Sequence, residues 1–460
     1  MTEVKTKILI TLCSNYAIRN FIESEAFREL ERNFELVYVV NEYATKKVDK
    51  KNVYYVENKS FSAKNAKLAY QGCLSMRRFP NRCATFPVKF RGFYWNNFSK
   101  KNRLRTWFLS LPLIYEIYLF IFNFFTWENK NLKKILKIEK PDFCFIPSNY
   151  SESFSFDTVH ACNQLNIPNM MFMLNWDNIS CKGVVPLKPD FMGVWGKQSK
   201  SHATAIHKID SNDVFEIGSP QFEVYNSPPC KKEVEQFKKK NFNQSEEQDI
   251  YIFVGVSRYR NEMAALVALD KYISDNNILN TLIVYRPHPS KAWLKDEKNF
   301  YDFSFKNIVI DPQVAEHYRS FLFNKNYSYK SFTPNSSYYP GLLYSSAGMI
   351  TSLSTLSLEA MMLGKPILQL TYPDKDHEYS FDKLKLYSHH DCWDNLEGVL
   401  MCDNEIELGI KFGELLTLVK SDNISNLLKD RSKYVLYNDR SINFSERLNQ
   451  TIKALLDKYV

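Results

Sequence analysis

Short apolar runs alternate with amphipathic stretches in two separate parts of this chain, and that alternation constrains the fold more than any other feature. Residues 7–11 and 36–40 are predicted strands with a helix over 17–30 between them, which is a β–α–β unit. The pattern resumes after residue 130, and a second series spans 250–370. Such units predict parallel sheets, so we expect an α/β protein with two Rossmann-like domains. A ligand is expected where the carboxyl ends of the two sheets face a common cleft.

The break between the two series lies at residues 226–247. It holds two consecutive prolines and a lysine-rich stretch, both typical of a domain boundary. We therefore predict an N-terminal domain over 1–225, a linker over 226–247 and a C-terminal domain over 248–440. The remaining residues, 441–460, are predicted to form a helix that packs back on the first domain.

Composition excludes several classes of protein. Of the 460 residues, 45% are hydrophobic and 24% are charged, which is the pattern of a folded globular chain rather than a disordered or polytopic membrane one. Nine scattered cysteines without a C-x-x-C pair predict neither a disulfide framework nor a zinc site. The apolar run at 8–12 is too short for a signal peptide, so we expect a cytoplasmic protein. The net charge of +9 comes from dispersed basic residues and predicts no nucleic-acid partner.

The segment 349–370 carries the richest set of polar groups. A predicted strand ends at Thr351, and Ser354 and Thr355 stand at the start of the next predicted helix. Their hydroxyls, the free backbone N–H groups and the helix dipole suit a phosphate. Glu359 lies four residues beyond Thr355 on the same helix face, where a carboxylate can accept both hydroxyls of a ribose. The alternative is that Ser354 only caps the helix and Glu359 is solvated.

A second candidate is the sequence Tyr-Arg-Pro-His-Pro at 285–289. Arg286 and His288 follow a predicted strand and should lie at its carboxyl end. Arg286 could neutralise a phosphate through a bidentate pair, and His288 could donate a proton to the departing phosphate. The alternative is a purely structural role for both residues.

In the first predicted domain, the polar segment Leu-Asn-Trp-Asp-Asn-Ile-Ser-Cys-Lys-Gly at 174–183 follows an apolar strand. Asp177 within it is a candidate for the base that deprotonates an acceptor hydroxyl. The alternative is that Asp177 caps a turn.

The segment 349–370 resembles a known family. A strand, a hydroxyl-bearing turn, a helix with a glutamate and then Gly-x-Pro are similar to the nucleotide-sugar site of GT-B glycosyltransferases. The match is carried here by Ser354, Thr355, Glu359, Gly364 and Pro366. The resemblance implies that Glu359 binds the ribose. The commonest version of the motif has glycines where Ser354 and Thr355 stand.

Three further segments resemble related enzymes. The R-x-H-P element at 286–289 is similar to that of the glycerophosphotransferases of teichoic acid synthesis and of the capsule enzymes that transfer Kdo from its CMP donor. The W-D-N…K-G pattern at 176–183 resembles bacterial surface-carbohydrate enzymes. In GT-B enzymes the loop after the first strand of the second domain faces the donor phosphate, which implies donor-binding roles for Ser257 and Arg258. An exposed arginine in an ordinary loop is the alternative.

Two short patterns, one of aspartates and one of histidines, are candidates for a metal site. Asp374 and Asp376 form the D-x-D that holds a divalent metal in the other large glycosyltransferase fold. There it belongs in the first half of the domain, whereas here it follows the predicted donor helix, so we expect a loop. His389 and His390 are predicted to be exposed and lack ligand spacing. We therefore predict no metal and no cofactor, with the nucleotide sugar as a substrate.

Residues 107–127 form an aromatic-rich apolar run that is almost long enough to span a bilayer. Pro112, Glu116 and Asn123 interrupt it, so a transmembrane helix is not expected. Basic residues precede it, which suits attachment to an anionic membrane face. Burial as a core helix and peripheral docking on the inner membrane both stay open, and the net charge favours docking.

Together these expectations predict a metal-independent GT-B glycosyltransferase of surface-polysaccharide assembly, for capsule or lipopolysaccharide. It would move a sugar from a nucleotide-activated donor to a polysaccharide or lipid-linked acceptor. The alternatives are a transferase of glycerol phosphate or ribitol phosphate from a CDP donor, an epimerase of a nucleotide sugar, and a non-catalytic membrane-associated scaffold.

Overall fold

The computed structural model describes most of the chain. It covers residues 5–57, 60–243, 248–256, 261–289, 298–324, 326–327, 335, 338–373, 381–393, 395–437, 439 and 441–458. The chain divides into two compact units. The first unit comprises residues 1–223, 387–389 and 434–460, and the second comprises 224–386 and 390–433.

The first unit is built on a parallel β-sheet. Its strands are β1 (Lys7–Leu12), β2 (Glu35–Asn41), β3 (Val53–Val56), β4 (Phe143–Ser148), β5 (Asn169–Met173), β6 (Phe191–Val194) and β7 (Val214–Glu216). They are ordered β3-β2-β1-β4-β5-β6-β7, and every described pairing is parallel. Each side chain of β4 and β5 is buried, as expected for central strands of a sheet covered on both faces.

Helices connect these strands. They are α1 (Asn15–Phe21), α2 (Arg28–Asn33), α3 (Phe61–Arg78), α4 (Thr85–Lys89), α5 (Lys100–Leu109), α6 (Pro112–Thr126), α7 (Lys130–Glu139), α8 (Ser153–Leu165), α9 (Asn178–Cys181) and α10 (Lys197–His207), with a π-helix at Phe90–Trp95 and 3-10 helices at Pro80–Arg82, Ser211–Asp213 and Pro220–Tyr225.

One predicted helix is wrong in its extent. The stretch 17–30, predicted as continuous, is divided into α1 and α2. Ser24 causes a local interruption, because its hydroxyl donates to the carbonyl of Asn20 (2.6 Å) and accepts from the N–H of Ala26 (3.2 Å). A short polar side chain that bonds to the backbone in this way competes with helical hydrogen bonds.

The second unit has a second parallel sheet. Its strands are β8 (Asp249–Val254), β9 (Thr281–Arg286), β10 (Ile308–Ile310), β11 (Ser346–Thr351), β12 (Ile367–Leu370) and β13 (Val399–Cys402). The order β10-β9-β8-β11-β12-β13 is that of a Rossmann fold. Its core contains the large buried side chains of Tyr251, Phe253, Tyr285 and Phe412.

The helices of this unit follow the strands in the same alternation. They are α11 (Lys231–Phe242), α12 (Glu262–Asp275), α13 (Pro312–Phe323), α14 (Tyr338–Ser345), α15 (Leu356–Met362), α16 (Phe381–Leu384), α17 (Leu408–Leu418) and α18 (Asp422–Val435), with 3-10 helices at Phe300–Asp302, Ser388–Trp393 and Glu405–Glu407.

Residues 226–247, predicted as a linker, contain helix α11 within the second unit. The ring of Phe237 packs against Tyr338 of α14, with 5.0 Å between ring centroids. A Cβ placed at Gly341 would lie 2.4 Å from the same ring, so α11 and α14 approach closely. The lysines that indicated a linker lie on a helix that packs through its apolar residues.

The C-terminal helix α19 (Phe444–Leu456) belongs to the first unit and packs on α2. The N–H of Glu29 donates to the hydroxyl of Ser445 (2.8 Å). Arg447 Nε donates to the carbonyl of Ile217 (2.8 Å), and its Nη2 bonds to the carboxylate of Glu223 (3.0 Å). These contacts attach the end of the chain to the first sheet.

The apolar run 107–127 is divided between α5 and α6, which meet at an angle of 93°. Pro112 is the first residue of α6, where its missing N–H costs no helical hydrogen bond. No single helix in the described ranges is both long enough and apolar enough to cross a membrane. Taken together, α5 and α6 have the length and composition, but with this bend between them.

Candidate functional site

The second unit brings its candidate residues to the switch point of its sheet, where the strand order reverses between β8 and β11. Thr351 Oγ1 at the end of β11 donates to the carbonyl of Val254 at the end of β8 (3.1 Å). The loops that follow these two strands therefore begin side by side. In open α/β sheets this edge is where ligands bind.

Hydroxyl groups crowd the loop from β11 into α15. Ser354 Oγ accepts from the N–H of Leu356 (3.3 Å), so this serine caps the first turn, and Thr355 is exposed. Ser352 and Ser357 are buried, and their hydroxyls have no hydrogen-bond partner among the described residues. Buried hydroxyls nearly always have a partner, so these two need one from outside the described residues.

The same loop adopts a backbone conformation that usually requires glycine. Leu353 has a φ of 38°, in the left-handed region that a side chain with a Cβ rarely enters. Here the residue in this conformation is a leucine, flanked by the hydroxyl residues Ser352 and Ser354. Backbone strain of this kind is found at functional sites.

Glu359 lies one turn into α15 and has a definite partner. Its carboxylate accepts a hydrogen bond from the phenol of Tyr225, at the end of the 3-10 helix before α11. Burial, together with the negative charge of Glu359, raises the pKa of Tyr225 well above its usual value, so the phenol stays protonated and donates. The hydroxyl of Tyr344 also donates to the carbonyl of Tyr225 (3.3 Å). Sequence reasoning missed Tyr225, which lies 134 residues from Glu359.

Arg286 is held by protein groups on several sides. Its side chain is buried and paired with the carboxylate of Asp311. Nη2 donates to the side-chain oxygen of Gln313 (2.7 Å) and to the phenol of Tyr339 (2.9 Å). Tyr338 donates to the other oxygen of Asp311 (2.7 Å). The guanidinium therefore anchors α13 and α14 to the end of β9.

His288 lies beside the first strand of this unit. A Cβ placed on Gly255 would lie 3.0 Å from the backbone nitrogen of His288 and 2.8 Å from the carboxylate of Glu262. Glu262 is buried and accepts from the N–H of Val256 (2.9 Å) and from the phenol of Tyr285 (2.6 Å). Only a glycine leaves room at position 255 for the ends of β8, β9 and α12 to meet. Ser257 and Arg258 lie outside the described residues.

In the first unit, the segment after β5 forms a short helix with Asp177 at its start. The carboxylate of Asp177 accepts from the thiol of Cys181 (3.3 Å), and its side chain is partly exposed. Gly183 closes the segment with a φ of 92°, and a Cβ there would lie 2.5 Å from the carbonyl of Gly72. The glycine at the end of the pattern is thus required for close packing on α3.

His207 anchors this segment through two hydrogen bonds. Its Nδ1 accepts from the N–H of Val185 (3.0 Å), and its Nε2 lies 2.8 Å from the carbonyl of Ile179, to which it donates. Complete burial lowers the pKa of His207 from 6.5 to about 4. The ring is therefore neutral and structural at physiological pH.

This burial predicts a loss of stability in acid. The unfolded chain binds a proton at His207 below pH 6.5, whereas the folded chain binds it only near pH 4. The free energy of unfolding should therefore fall by about 3 kcal/mol as the pH drops through that window. Urea unfolding across this pH range should show the loss in the wild type and a smaller loss in His207→Gln. An equal pH dependence in both would contradict the assignment.

A polar cluster that sequence reasoning missed lies at the switch point of the first sheet. Glu152 precedes α8 and is buried, and its carboxylate accepts from the backbone N–H (3.2 Å) and side-chain amide (3.1 Å) of Asn149. The amide of Asn175 donates to Asn149 Oδ1 (3.1 Å), and that of Asn178 donates to the Asn149 carbonyl (2.8 Å). Burial raises the pKa of Glu152. The polar stretch 149–152 after a predicted strand was the available signal.

Of the two candidate metal patterns, the structure describes the histidine pair only. His389 and His390 were predicted to be exposed and are both buried. His389 Nδ1 lies 2.8 Å from Ser180 Oγ, and His390 Nδ1 bonds to the carbonyl of Leu384 (2.8 Å), so packing and hydrogen bonds explain them. Asp374 and Asp376 lie outside the described residues. Within the described ranges no three His, Cys, Asp or Glu side chains gather as metal ligands.

Solved structures match this architecture over nearly the whole chain. A protein described as a UDP-N-acetylglucosamine 2-epimerase from Listeria monocytogenes gives a TM-score of 0.53 at 11% identity, covering 99% of this chain and 97% of that one. A UDP co-structure of MnaA from S. aureus gives 0.50 at 13% identity, covering 98% and 97%. The chain has the GT-B fold.

This confirms the fold class predicted from the sequence, and at these identities the likeness is one of fold. A glycosyltransferase from Rickettsia africae also matches, with a TM-score of 0.49 at 11% identity and 99% of each chain covered. No protein-family model matches the chain. No curated protein matches it by sequence.

Proposed function

We propose that this chain is a glycosyltransferase that moves a sugar from a nucleotide-activated donor to a surface-polysaccharide or lipid-linked acceptor. The observation that carries the proposal is the set of groups at the carboxyl end of β11. Two buried serine hydroxyls that have no hydrogen-bond partner among the described residues, those of Ser352 and Ser357, lie seven and two residues before Glu359 in the same loop and helix. Hydroxyls and a carboxylate at this spacing suit the phosphates and the ribose of one nucleotide.

Each donor group has a proposed role. Glu359 accepts the ribose hydroxyls, while Ser352, Ser354 and Ser357 surround the phosphates together with the exposed Thr355. His288 donates to the leaving phosphate. In the reaction the acceptor oxygen attacks the anomeric carbon, the bond from that carbon to the phosphate oxygen breaks, and the nucleotide leaves with the electron pair.

The remaining donor candidates keep secondary roles. Ser257 and Arg258 stay predictions for the donor phosphate. Arg286 was predicted to bind phosphate directly, but its guanidinium already contacts Asp311, Gln313 and Tyr339. We propose instead that Arg286 positions the end of β9 and with it His288.

Two carboxylates of the first domain are proposed for the acceptor proton. Asp177 is partly exposed after β5, and Glu152 is buried at the switch point of the same sheet. The raised pKa of Glu152 brings it closer to that of a general base working near neutral pH. The base takes the proton that the acceptor hydroxyl loses. We also retain as proposals a cytoplasmic location, metal independence and a role in capsule or lipopolysaccharide assembly.

The proposal is tested by nucleotide binding. Purified protein should be heated with CMP, CDP, UDP, GDP or dTDP in turn, because a ligand that binds only the folded state raises the unfolding temperature. At a concentration 100 times its Kd, such a ligand raises the free energy of unfolding by about 2.7 kcal/mol. We expect one nucleotide to raise the unfolding temperature more than the others. The variants Asp177→Asn and Glu152→Gln should keep that stabilisation, because both residues lie in the first domain.

The outcomes separate the alternatives. No stabilisation by any nucleotide would contradict the proposal and favour the non-catalytic scaffold. With the matching nucleotide sugar, conversion without an acceptor would identify an epimerase. A product linkage that contains phosphorus would identify a polyol-phosphate transferase. A phosphorus-free glycosidic product that forms only with an acceptor would support the glycosyltransferase.

A further inference from the structure

Helix α6 presents a broad apolar face that the described part of the chain leaves exposed. Its inward side chains Tyr115 and Phe122 are buried. Its outward positions recur at the spacing of one helical face and are between 50% and 75% exposed: Leu113, Ile117, Phe120, Ile121, Phe124 and Phe125. An amphipathic helix of a globular protein normally has polar residues there. Contiguous exposed apolar patches mark interaction sites.

Helix α5 extends this surface and adds positive charge. Its Leu104 is 68% exposed, and Trp107 and Phe108 are each about half exposed. Lys100, Leu104 and Trp107 recur at helical spacing on one side, and Lys101, Arg105 and Phe108 on the neighbouring side. The three basic side chains Lys100, Lys101 and Arg105 are exposed. Cations and large apolar side chains therefore share the outer surface of α5.

The local charge is strongly one-sided. Between residues 91 and 127 the sequence contains five lysines and arginines and one acidic residue, Glu116. This basic character is complementary to an anionic surface and not to a neutral or basic partner. Helices α5 and α6 meet at 93°, and the inner side of α6 is buried, so their apolar side chains form an outer surface rather than one straight spanning helix.

We propose that the outer faces of α5 and α6 dock on an anionic lipid bilayer, with the aromatic and aliphatic side chains in the interfacial layer and the α5 cations on the headgroups. Aromatic rings prefer this layer, and neighbouring lysines and arginines bind anionic lipids electrostatically. The proposal goes beyond the nucleotide site, since docking uses no residue of the second domain. Its test therefore needs no nucleotide.

The full chain should be sedimented with vesicles of phosphatidylcholine alone and of phosphatidylcholine mixed with phosphatidylglycerol. We expect binding to the mixed vesicles and weaker binding as salt rises. The double variant Phe120→Glu with Phe124→Glu should bind roughly tenfold or more weakly. Its matched control is Leu279→Glu with Ile406→Glu, at apolar positions that are 82% and 87% exposed in the second unit. The control should bind as the wild type does.

The charge contribution has its own variant. Lys100→Glu with Lys101→Glu should lower binding to the mixed vesicles roughly tenfold, whereas Lys231→Glu with Lys232→Glu on α11 should leave it unchanged. All four residues are exposed, so unchanged melting temperatures should accompany every result.

Several results would overturn the proposal. They are no sedimentation with mixed vesicles, equal sedimentation with both kinds of vesicle, or equal loss in a variant and its matched control. A lipid-free dimer that the Phe120→Glu and Phe124→Glu variant makes monomeric would show that a second copy covers this face instead. Nucleotide binding is measured separately, so failure here would leave the proposed function standing.

Discussion

Replacing Glu359 with alanine should strongly reduce the stabilisation given by the nucleotide that binds the wild type. Hydrogen bonds to a charged group contribute about 1.5–3 kcal/mol, so losing this carboxylate should weaken binding at least tenfold. Isothermal titration with the nucleotide chosen by the thermal panel measures the loss. Glu359 is partly exposed, so the variant itself should fold.

Tyr225→Phe is the informative companion variant. It keeps the ring in place and removes only the hydroxyl that donates to Glu359. If Tyr225 positions the carboxylate, nucleotide affinity should change severalfold, in either direction, while Glu359→Ala should weaken binding at least tenfold. Unchanged affinity in Glu359→Ala would contradict the ribose-binding role and leave Glu359 as a structural partner of Tyr225.

Replacing Arg286 with alanine should strongly destabilise the second domain. The change would leave the buried carboxylate of Asp311 without its cation, and breaking a buried pair from one side costs about 3–5 kcal/mol. Urea unfolding should show this loss. Arg319→Ala is the matched control, because Arg319 is exposed on α13 and should change stability by about 0.5 kcal/mol or less.

The same variants distinguish a positioning role from phosphate binding. Arg286→Lys keeps the charge but loses the fork that reaches Gln313 and Tyr339, so part of the stability should be lost. If nucleotide affinity is unchanged in folded Arg286→Lys, the arginine acts through the fold. A stability of Arg286→Ala equal to that of Arg319→Ala would contradict the structural role of the ion pair.

Much of the sheet architecture was predictable because central parallel strands are apolar on both faces. The apolar runs at 142–146, 170–174 and 250–254 predicted strands that the structure places within one or two residues. The break in the helix predicted over 17–30 was harder to predict, because it depends on which backbone groups the Ser24 hydroxyl contacts.

The candidate site was only partly predictable. The local spacing predicts that Ser354 lies in the turn before a helix and that Glu359 lies on that helix. The structure has both residues in these positions. The partners of these groups come from distant parts of the chain: Tyr225 for Glu359, and Asp311 for Arg286. A motif does not identify such partners, because the order of strands and helices in space decides which distant residues meet.

The sequence by itself determined the α/β class, the two series of parallel strands and the turn from β11 into α15. These depend on hydrophobic periodicity and local backbone preference, which act over a few residues. Only the tertiary structure decided that Arg286 is buried in an ion pair, that Glu152 is buried beside Asn149, and that the outer face of α6 is exposed among the described residues. Burial and charge pairing depend on what packs against a side chain, and that neighbour is supplied by the fold as a whole.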